Sequence, residues 1–476
     1  MRILILLIGL LSLAACAVGP DYSRPDMSTP ASFRMADAEQ EATSFANLPW
    51  WDLLQDKELQ RLIKVALGEN KDLKRAVASV EEFQARLFIT KMDFAPNADL
   101  VANAPSFGRK AEFLFPGFPN AFNYYLQGNL SWELDIWGRI RRSNEAARGD
   151  LLAREEARRA TILQLVSGVA ESYFDLLQLD RQRDIATRTL RSWEDSVKIA
   201  QARVRQGVVT KIDADQFVAE RANAVARLAE LERQKVQKEN QLSLLLGRNP
   251  GRIARGQSLT EQVMPPDVPP GLPSELLQRR PDVVQAEQGL AAATARIGVA
   301  KADRFPKLSI TGILGVASPQ LSRLVANETS FGVVGLGVAG PLLNAQILGF
   351  QQEAAEAQAR ELLAQYEQTI LVAFREVEDA LVAVKTAREQ RAAQAEQVEA
   401  LRSALQLASL RYKGGLANYL DVLVAQRSLF EAELALASTH RLQLVSVVQL
   451  YKALGGGWHA YEAVSPSLAP AHTRPS

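Results

Sequence analysis

The clearest hydrophobic pattern of the chain is the alternation of apolar and polar residues over positions 122–135. Successive side chains of a β-strand point to opposite faces, so this alternation predicts a strand with one apolar and one polar face. The run exceeds the about 9 to 11 residues with which a tilted strand crosses a bilayer, although half-buried strands of soluble proteins alternate in the same way. Weaker patterns place a partner strand at 98–107 and a second pair at 308–316 and 331–341. The sequence therefore predicts four strands in two pairs.

Long stretches of helical periodicity flank the predicted strands. From about residue 143 to about residue 206 no proline interrupts the chain, so one helix would reach roughly 90 Å at 1.5 Å per residue. Apolar residues recur there, and again in the second half, at steps of three and four, as a helix with one buried stripe requires. They are Ile162, Leu165, Val166, Val169, Tyr173 and Leu176, and then Val398, Leu401, Leu405 and Ala408. Each strand pair is therefore predicted to lie between helices that are longer than a compact domain needs.

The sequence repeats itself about half-way along the chain. Residues 70–95 match residues 280–305 at an offset of 210, as from Asp72 to Asp282, and a proline follows both segments. Farther on the offset is 208, and we call residues related by either offset matched positions. The matched pairs at this second offset include Arg203 with Arg411, Gly207 with Gly415, Asp213 with Asp421 and Gly247 with Gly455. A unit of helix, strand, strand, long helix, turn and long helix is thus predicted twice.

The repeat and the proline distribution together predict the organisation of the chain. Six prolines between positions 250 and 273 cannot continue a helix and indicate a linker between the repeats. The predicted segments are a signal peptide (1–15), a lipidated tether (16–48), the first repeat (49–250), a Pro/Gly linker (251–274), the second repeat (275–455) and a flexible tail (456–476).

The N-terminus is typical of a secreted lipoprotein. An apolar run at 3–11 follows Arg2 and precedes small residues, as in a signal peptide, and Cys16, the single cysteine, comes directly after Leu13-Ala14-Ala15. This pattern predicts acylation of Cys16; the alternative is a leftover cysteine in an ordinary leader. The run is too short for a membrane helix and no longer apolar stretch occurs later in the sequence, so any crossing of a membrane must use the strands. Four strands cannot close on themselves, and open edges in lipid cost several kcal/mol per unsatisfied group, so transmembrane strands would have to be shared between chains.

The charged and polar residues do not indicate an enzyme. The formal net charge of +1 does not favour nucleic acid as a partner. Residues 335–340 fit a dinucleotide fingerprint, but Pro341 follows at once without βαβ alternation, which favours strand glycines. His440, His459 and His472 lie far apart, which disfavours a zinc cluster or a catalytic triad, and His440 is predicted to lie on a helix surface. We therefore predict no catalytic residue, no metal and no cofactor.

Several motifs together resemble a known family, the TolC-like outer-membrane factors of tripartite efflux systems, and within it the outer membrane efflux lipoproteins of the NodT or OprM type. The motifs occur in order over nearly the whole mature chain. They are the Cys-Ala-Val-Gly-Pro-Asp-Tyr segment from Cys16, Pro49-Trp50-Trp51, the Trp-Glu-Leu-Asp-Ile-Trp-Gly-Arg segment at 132–139, Arg279-Arg280-Pro281-Asp282, Tyr412-Lys413-Gly414-Gly415, Asn418-Tyr419-Leu420 and Ala425-Gln426-Arg427-Ser428-Leu429.

The resemblance implies a mainly α fold with a small transmembrane β part. Three chains would form one twelve-stranded β-barrel in the outer membrane, continued by a long α-helical barrel in the periplasm. It implies a homotrimer that works with a periplasmic adaptor, or membrane fusion protein, and an inner-membrane pump of the resistance-nodulation-division (RND) type. Ala17 after Cys16 implies sorting to the outer membrane, where the lipid would act as an anchor. The duct would conduct small molecules passively.

A coiled-coil periplasmic adaptor or scaffold lipoprotein is the alternative hypothesis, because it would share the helices and the lipid anchor. Adaptors usually have a single helical hairpin with folded β modules. The present sequence predicts two hairpins and two matched strand pairs, which favours the duct.

The resemblance also implies a gate at the periplasmic turns between the long helices, here 206–210 and 413–417. By resemblance Leu420 belongs to the constriction and Arg427 to its polar lock, while Asp213 and Asp421 are further candidates; threefold symmetry would make each residue a ring. Val424 stands where relatives often place an aspartate, so the acidic ring is either missing or moved to Asp421. Both aspartates also suit helix capping, and the choice between a capping role and a gating role is left open for Asp213.

Overall fold

The computed structural model describes residues 17–30, 32–34, 53–104, 124–264, 273–318, 320–325, 329–341, 343 and 345–456. The predicted signal peptide, Cys16 and residues 457–476 of the predicted tail lie outside the described residues. The contacts divide the chain into two compact units. The strand unit comprises Met1–Met27, Ala78–Glu155 and Gln285–Gln368, and the helix unit comprises Ser28–Val77, Glu156–Val284 and Thr369–Ser476.

The described elements follow the predicted order in both halves. The first half contains α1 (Lys57–Glu69), α2 (Lys71–Met92), β1 (Asn97–Asn103), β2 (Tyr124–Leu134), α3 (Arg139–Arg205) and α4 (Lys211–Leu245). The second half contains α5 (Pro273–Arg279), α6 (Pro281–Ala302), β3 (Lys307–Ser318), β4 (Ser330–Ala339), α7 (Ala345–Lys413) and α8 (Tyr419–Ala453). Short 3₁₀ turns lie at Leu259–Glu261 and Leu321–Arg323. The predicted mainly α fold with two repeats and a small β part is therefore confirmed, and no described helix has an apolar stretch sufficient to cross a membrane.

The four strands form one antiparallel sheet in the order β1-β2-β3-β4. Leu130 of β2 lies opposite Ala98 of β1 and Gly312 of β3, so apolar residues share one face across the sheet. Asn129 lies opposite Asp99 of β1, on the other face. The alternation predicted for residues 122–135 is confirmed over the described part, because directly opposed residues of antiparallel strands point to the same side.

Four long helices end in the same way. Gly207, Gly247, Gly415 and Gly455 have φ angles of 70, 68, 73 and 73°. The next residue donates its N–H to the carbonyl five positions back, as Val208 does to Arg203 at 2.9 Å. This left-handed ending satisfies the last free carbonyls of a helix, and glycine adopts it without the steric cost that a Cβ brings. The matched glycines therefore mark helix ends in both halves.

A large apolar core lies in the helix unit. The predicted stripe of α3 from Ile162 to Leu176 is fully buried, and it packs against residues of α1 such as Leu62 and Ile63. The Tyr173 hydroxyl donates to Asp56 Oδ2 at 2.9 Å, which gives this buried polar group a partner. In α7, by contrast, Val398 is buried while Leu401, Leu405 and Ala408 are half-buried.

The prediction for His440 was wrong. Its side chain lies in the helix unit with only 6% of its surface exposed. Burial, together with the charges of Arg391 and Arg181, lowers the pKa of His440 to about 4. The sequence places His440 on α8 but does not show that α8 is surrounded on this side by other helices.

Candidate gate at the turns between the long helices

The helix that follows the first turn begins with a capping box. Thr210 is the N-cap of α4, and its backbone N–H donates to Asp213 Oδ2 at 2.8 Å. A carboxylate at this position satisfies a free amide and lies at the positive end of the helix dipole. The capping interpretation of Asp213 is therefore confirmed, and its part in a gate stays a prediction.

The helix that follows the second turn begins differently. Asn418 is the N-cap of α8, and its side chain accepts a hydrogen bond from the Leu420 amide. Asp421 contributes only its backbone N–H, which donates to the Asn418 carbonyl at 3.3 Å. The Asp421 carboxylate is exposed, and within the described residues it has no ion pair or hydrogen-bond partner. Matched aspartates thus have different surroundings: one is used by a cap and the other faces solvent.

Aromatic side chains join the two turns inside one chain. The Arg203 guanidinium lies 4.4 Å from the centre of the Tyr412 ring. The Tyr419 hydroxyl donates to Gln216 Oε1 at 2.6 Å, and its ring meets Phe217 edge-on at 6.0 Å. Desolvation and the nearby Asp213 carboxylate raise the pKa of the Tyr419 hydroxyl. The two hairpin ends are therefore held together by a cation-π contact and a polar-aromatic cluster.

The sequence motifs named Tyr412 and Tyr419 without assigning them a structural role. The available signal was their position: each tyrosine lies within a few residues of Gly415, next to the predicted turn. The partner Gln216 lies in the other half of the chain, so only the folded structure identifies the contact.

Leu420, Val424 and Arg427 share one exposed face of α8, because their spacing of four and three residues brings them onto the same side of a helix. Leu420 is 47% and Val424 44% exposed, whereas Val422 on the opposite face and Leu423 at the edge of the exposed face are buried. The Arg427 guanidinium is also exposed, and no ion pair involves it within the part of the chain that the structure describes. The structure thus brings the predicted constriction and lock residues onto one solvent-facing surface.

The predicted lipid attachment residue, Cys16, lies outside the described residues, but the chain is described from Ala17. The Val18 amide donates to the Trp137 carbonyl at 3.0 Å, and Arg142 Nη2 bonds Asp21 Oδ1 at 2.6 Å. Gly19 has φ 101°, and a Cβ there would overlap the backbone of Gly298. The segment next to the predicted anchor is therefore packed closely onto the strand unit.

The residues considered for other chemistry have ordinary surroundings. Gly335 and Gly337 lie within β4, as the strand interpretation of residues 335–340 predicts. Among the described residues, no group of three or more His, Cys, Asp or Glu side chains is placed to hold a metal ion.

The family profile of outer membrane efflux proteins matches residues 62–248 and 272–456, which correspond to the two repeats. The chain is 33% identical over 454 residues to the toluene efflux pump outer membrane protein TtgC of Pseudomonas putida, with 94% of each chain covered. It is also 33% identical over 451 residues to the cation efflux system protein CusC of Escherichia coli, with 94% of this chain and 97% of CusC covered. The structure of the open state of the Neisseria gonorrhoeae MtrE outer membrane channel superposes with a TM-score of 0.82 at 30% identity, covering 93% of this chain and 99% of MtrE. The chain therefore belongs to the outer membrane efflux protein family and is an outer-membrane efflux channel with the TolC-like fold.

Proposed function

We propose that three copies of the chain form the exit duct of a tripartite pump. The duct conducts small molecules passively from the periplasm to the exterior. A periplasmic adaptor and an inner-membrane RND pump deliver the cargo and supply the energy, so this function requires no catalytic residue. A lipid on Cys16 then acts as an accessory tether beside strands that are themselves in the membrane.

The sheet supports assembly from several copies. Among the described strands, β1 pairs only with β2 and β4 only with β3, so each has one unpaired edge. Unpaired backbone groups cost several kcal/mol each in lipid. Because β1 and β4 run in opposite directions, β4 of one copy can pair antiparallel with β1 of the next. The family resemblance supports three copies, which would give a closed sheet of twelve strands.

The exposed face of α8 supports a gate at the second turn. In its own chain Arg427 has no ion pair among the described residues, and neither has Asp421. Both side chains are therefore available to groups of a neighbouring copy, and threefold symmetry converts each into a ring. We assign Leu420 to the apolar constriction, Arg427 and Asp421 to contacts that hold the closed state, and Asp213 to a supporting position behind them.

Single-channel recording on the reconstituted protein tests the gate. Asp421→Ala and Arg427→Ala should each raise the conductance, because each removes a charged group that holds the closed state. Asp215→Ala is the matched control, since it removes an exposed carboxylate from α4, the helix after the other turn, and should leave conductance unchanged. Unchanged conductance in both gate variants would contradict the assignment.

The mass of the detergent-solubilised protein tests the assembly independently of the gate. Light scattering should give three chains per particle for the wild type and for all three variants. A monomeric particle would exclude the shared sheet. The two relatives named above have the same identity to this chain but refer to toluene in one case and cations in the other. The names of these relatives therefore do not identify the cargo of this channel.

A further inference from the structure

The carboxylate of Glu433, on α8, has partners on two other helices. Arg188 of α3 donates from Nη2 to Glu433 Oε2 at 3.4 Å, and Arg402 of α7 donates from Nη2 to Glu433 Oε1 at 3.1 Å. Each carboxylate oxygen therefore accepts from a different helix. We call these three residues, which all belong to the helix unit, the Glu433 cluster. The Glu433 side chain is 12% exposed, whereas those of Arg188 and Arg402 are 57% and 51% exposed.

The cluster joins the two helical hairpins of the chain. The first hairpin consists of α3 and α4, and the second of α7 and α8. Arg402 holds the Glu433 carboxylate within the second hairpin, and Arg188 reaches the same carboxylate from the first. Farther from the turns the helices α3 and α8 meet again, where Gln182 Nε2 donates to Ser438 Oγ at 3.0 Å. The Arg188–Glu433 pair is therefore the charged member of a row of polar contacts between the hairpins.

The repeat does not provide a second cluster of this kind. At the offset of 208 the position matched to Glu433 is Val225. The positions matched to Arg188 and Arg402 are Glu396 and Glu194, which carry the opposite charge. A contact that the helical repeat required for folding would occur in both halves, as the glycines at the helix ends do. The Glu433 cluster is instead specific to the place where the second hairpin meets α3.

The shared carboxylate gives the cluster more weight than an ordinary surface pair. An exposed ion pair contributes little to stability, because salt screens it and two long side chains lose freedom. Here one largely buried carboxylate lies between two guanidinium groups. Loss of its negative charge would remove both attractions and leave like charges of α3 and α7 next to each other. The change would therefore push the two hairpins apart.

The cluster lies on the same helix as the candidate gate but at a distance from it. From Leu420 to Glu433 α8 rises roughly 20 Å at 1.5 Å per residue. The first turn of α8 also carries Asp421. Any displacement of these residues from the axis of the assembly moves the start of α8 relative to α3. A contact between α8 and α3 at Glu433 resists this movement without touching the gate.

We propose that the Glu433 cluster is a latch that holds the second hairpin against the first in the closed channel. This inference rests on the proposed gate, for which Glu433 is a positioning residue. The carboxylate binds Arg188 in the closed state, and opening separates this pair while Arg402 keeps Glu433 within its own hairpin. The latch works through charge, so its strength depends on the ionic strength.

Single-channel recording on the reconstituted full-length protein tests the latch. Glu433→Gln keeps the size of the side chain and removes its charge. We expect the fraction of time in the open state to rise about fivefold, which corresponds to about 1 kcal/mol. Arg188→Gln cuts the same contact from α3 and should act in the same direction. Glu399→Gln is the matched control, because Glu399 pairs with Arg402 at 2.7 Å within α7 and joins no two helices.

Ionic strength distinguishes a charged latch from a packing contact. The screening length falls from about 10 Å at 0.1 M salt to about 3 Å at 1 M salt. The difference in open fraction between the wild type and Glu433→Gln should therefore shrink at 1 M salt. A difference of the same size at both salt concentrations would show that the side chain acts by packing, and it would overturn the latch.

The outcomes separate the latch from the proposed gate. Light scattering first establishes that each variant forms the same particle as the wild type; if Glu433→Gln does not, the exposed Arg188→Gln carries the test. An unchanged open fraction in Glu433→Gln and Arg188→Gln, together with a raised conductance of Asp421→Ala, would overturn the latch and leave the gate intact. A rise in Glu399→Gln equal to that in Glu433→Gln would overturn the latch as well. Unchanged conductance in the gate variants, with a raised open fraction in Glu433→Gln, would overturn the gate assignment and retain the contact between the hairpins.

Discussion

The turn of the first repeat and the turn of the second repeat have the same backbone and different chemistry. Gly207 and Gly415 both adopt the left-handed conformation, with φ of 70 and 73°, and the same hydrogen bonds close both helices. Three residues into the following helix, Asp213 is used by a cap. Its matched residue, Asp421, is exposed and free of partners among the described residues.

This difference shows which features a repeat retains and which it can change. A left-handed helix ending needs a residue without a Cβ, so both turns carry glycine. A carboxylate on an exposed helix face has no such constraint, and a cap provided by Asn418 leaves Asp421 available for another role. The sheet shows the same division between backbone and side chains. Its strand register is regular, yet one face carries the polar Asn129 on β2 and the apolar Val333 on β4.

The strongest test of the shared backbone compares glycines at the two kinds of helix end. At Gly247 a Cβ would overlap the carbonyl oxygen of Glu69, whereas at Gly207 nothing lies within 4 Å. Gly247→Ala should therefore lower the free energy of unfolding by about 2 to 5 kcal/mol, from the left-handed conformation and the forced backbone shift together. Gly207→Ala should cost only the conformational part, about 1 to 2 kcal/mol.

Thermal unfolding of the detergent-solubilised protein, followed by circular dichroism, measures this difference. Gly68→Ala is the control, because Gly68 lies within α1 with open space around it and alanine should stabilise that helix by about 0.5 to 1 kcal/mol. If the two alanine variants at positions 247 and 207 lost the same free energy of unfolding, the close approach of Gly247 to Glu69 would make no contribution to stability.

The sequence predicted those features that repeat with a period or that require a special residue. The alternation near Leu130 predicted a strand, and the paired glycines revealed the repeat, although their role at the helix ends is seen only in the structure. The sequence could not decide between cap and gate for Asp213, because the answer depends on the rotamer that meets the Thr210 amide. It also missed the burial of His440, since the neighbours Arg181 and Arg391 come from distant parts of the chain.

His440 and its matched residue, Glu232, differ in burial. Glu232 is exposed on α4, while His440 is buried and its pKa is lowered to about 4. Unfolding restores the ordinary histidine pKa of about 6.5, so the unfolded chain binds the extra proton between pH 6.5 and 4. The stability that neutral His440 retains above pH 6.5 is lost as the pH falls, on the order of 3 kcal/mol by pH 4.

Comparing the unfolding midpoint at pH 7.5 and pH 4.5 tests this effect. His440→Gln removes the titrating group and should reduce the loss of stability on acidification. Glu232→Gln should leave the acid response close to that of the wild type. An acid response of His440→Gln equal to the wild type would show that His440 does not gain a proton on unfolding. The groups that face His440 should be left unchanged in this experiment. They are Arg181, Arg391 and Gln443, whose Oε1 accepts a hydrogen bond from Arg391 Nη1 at 3.0 Å.

The smallest expected effect concerns the two matched aspartates. Asp213→Ala removes the side chain that accepts from the Thr210 amide, so the free energy of unfolding should fall by about 1 kcal/mol, as for other caps. Asp421→Ala removes no hydrogen bond within the described chain and should change stability by less than about 0.5 kcal/mol. Asp213→Ala should thus lower the thermal midpoint more than Asp421→Ala does. For the conductance the order is reversed, because Asp421→Ala should have the larger effect. If Asp421→Ala lost as much stability as Asp213→Ala, its carboxylate would be part of the helix start and not free to act between copies.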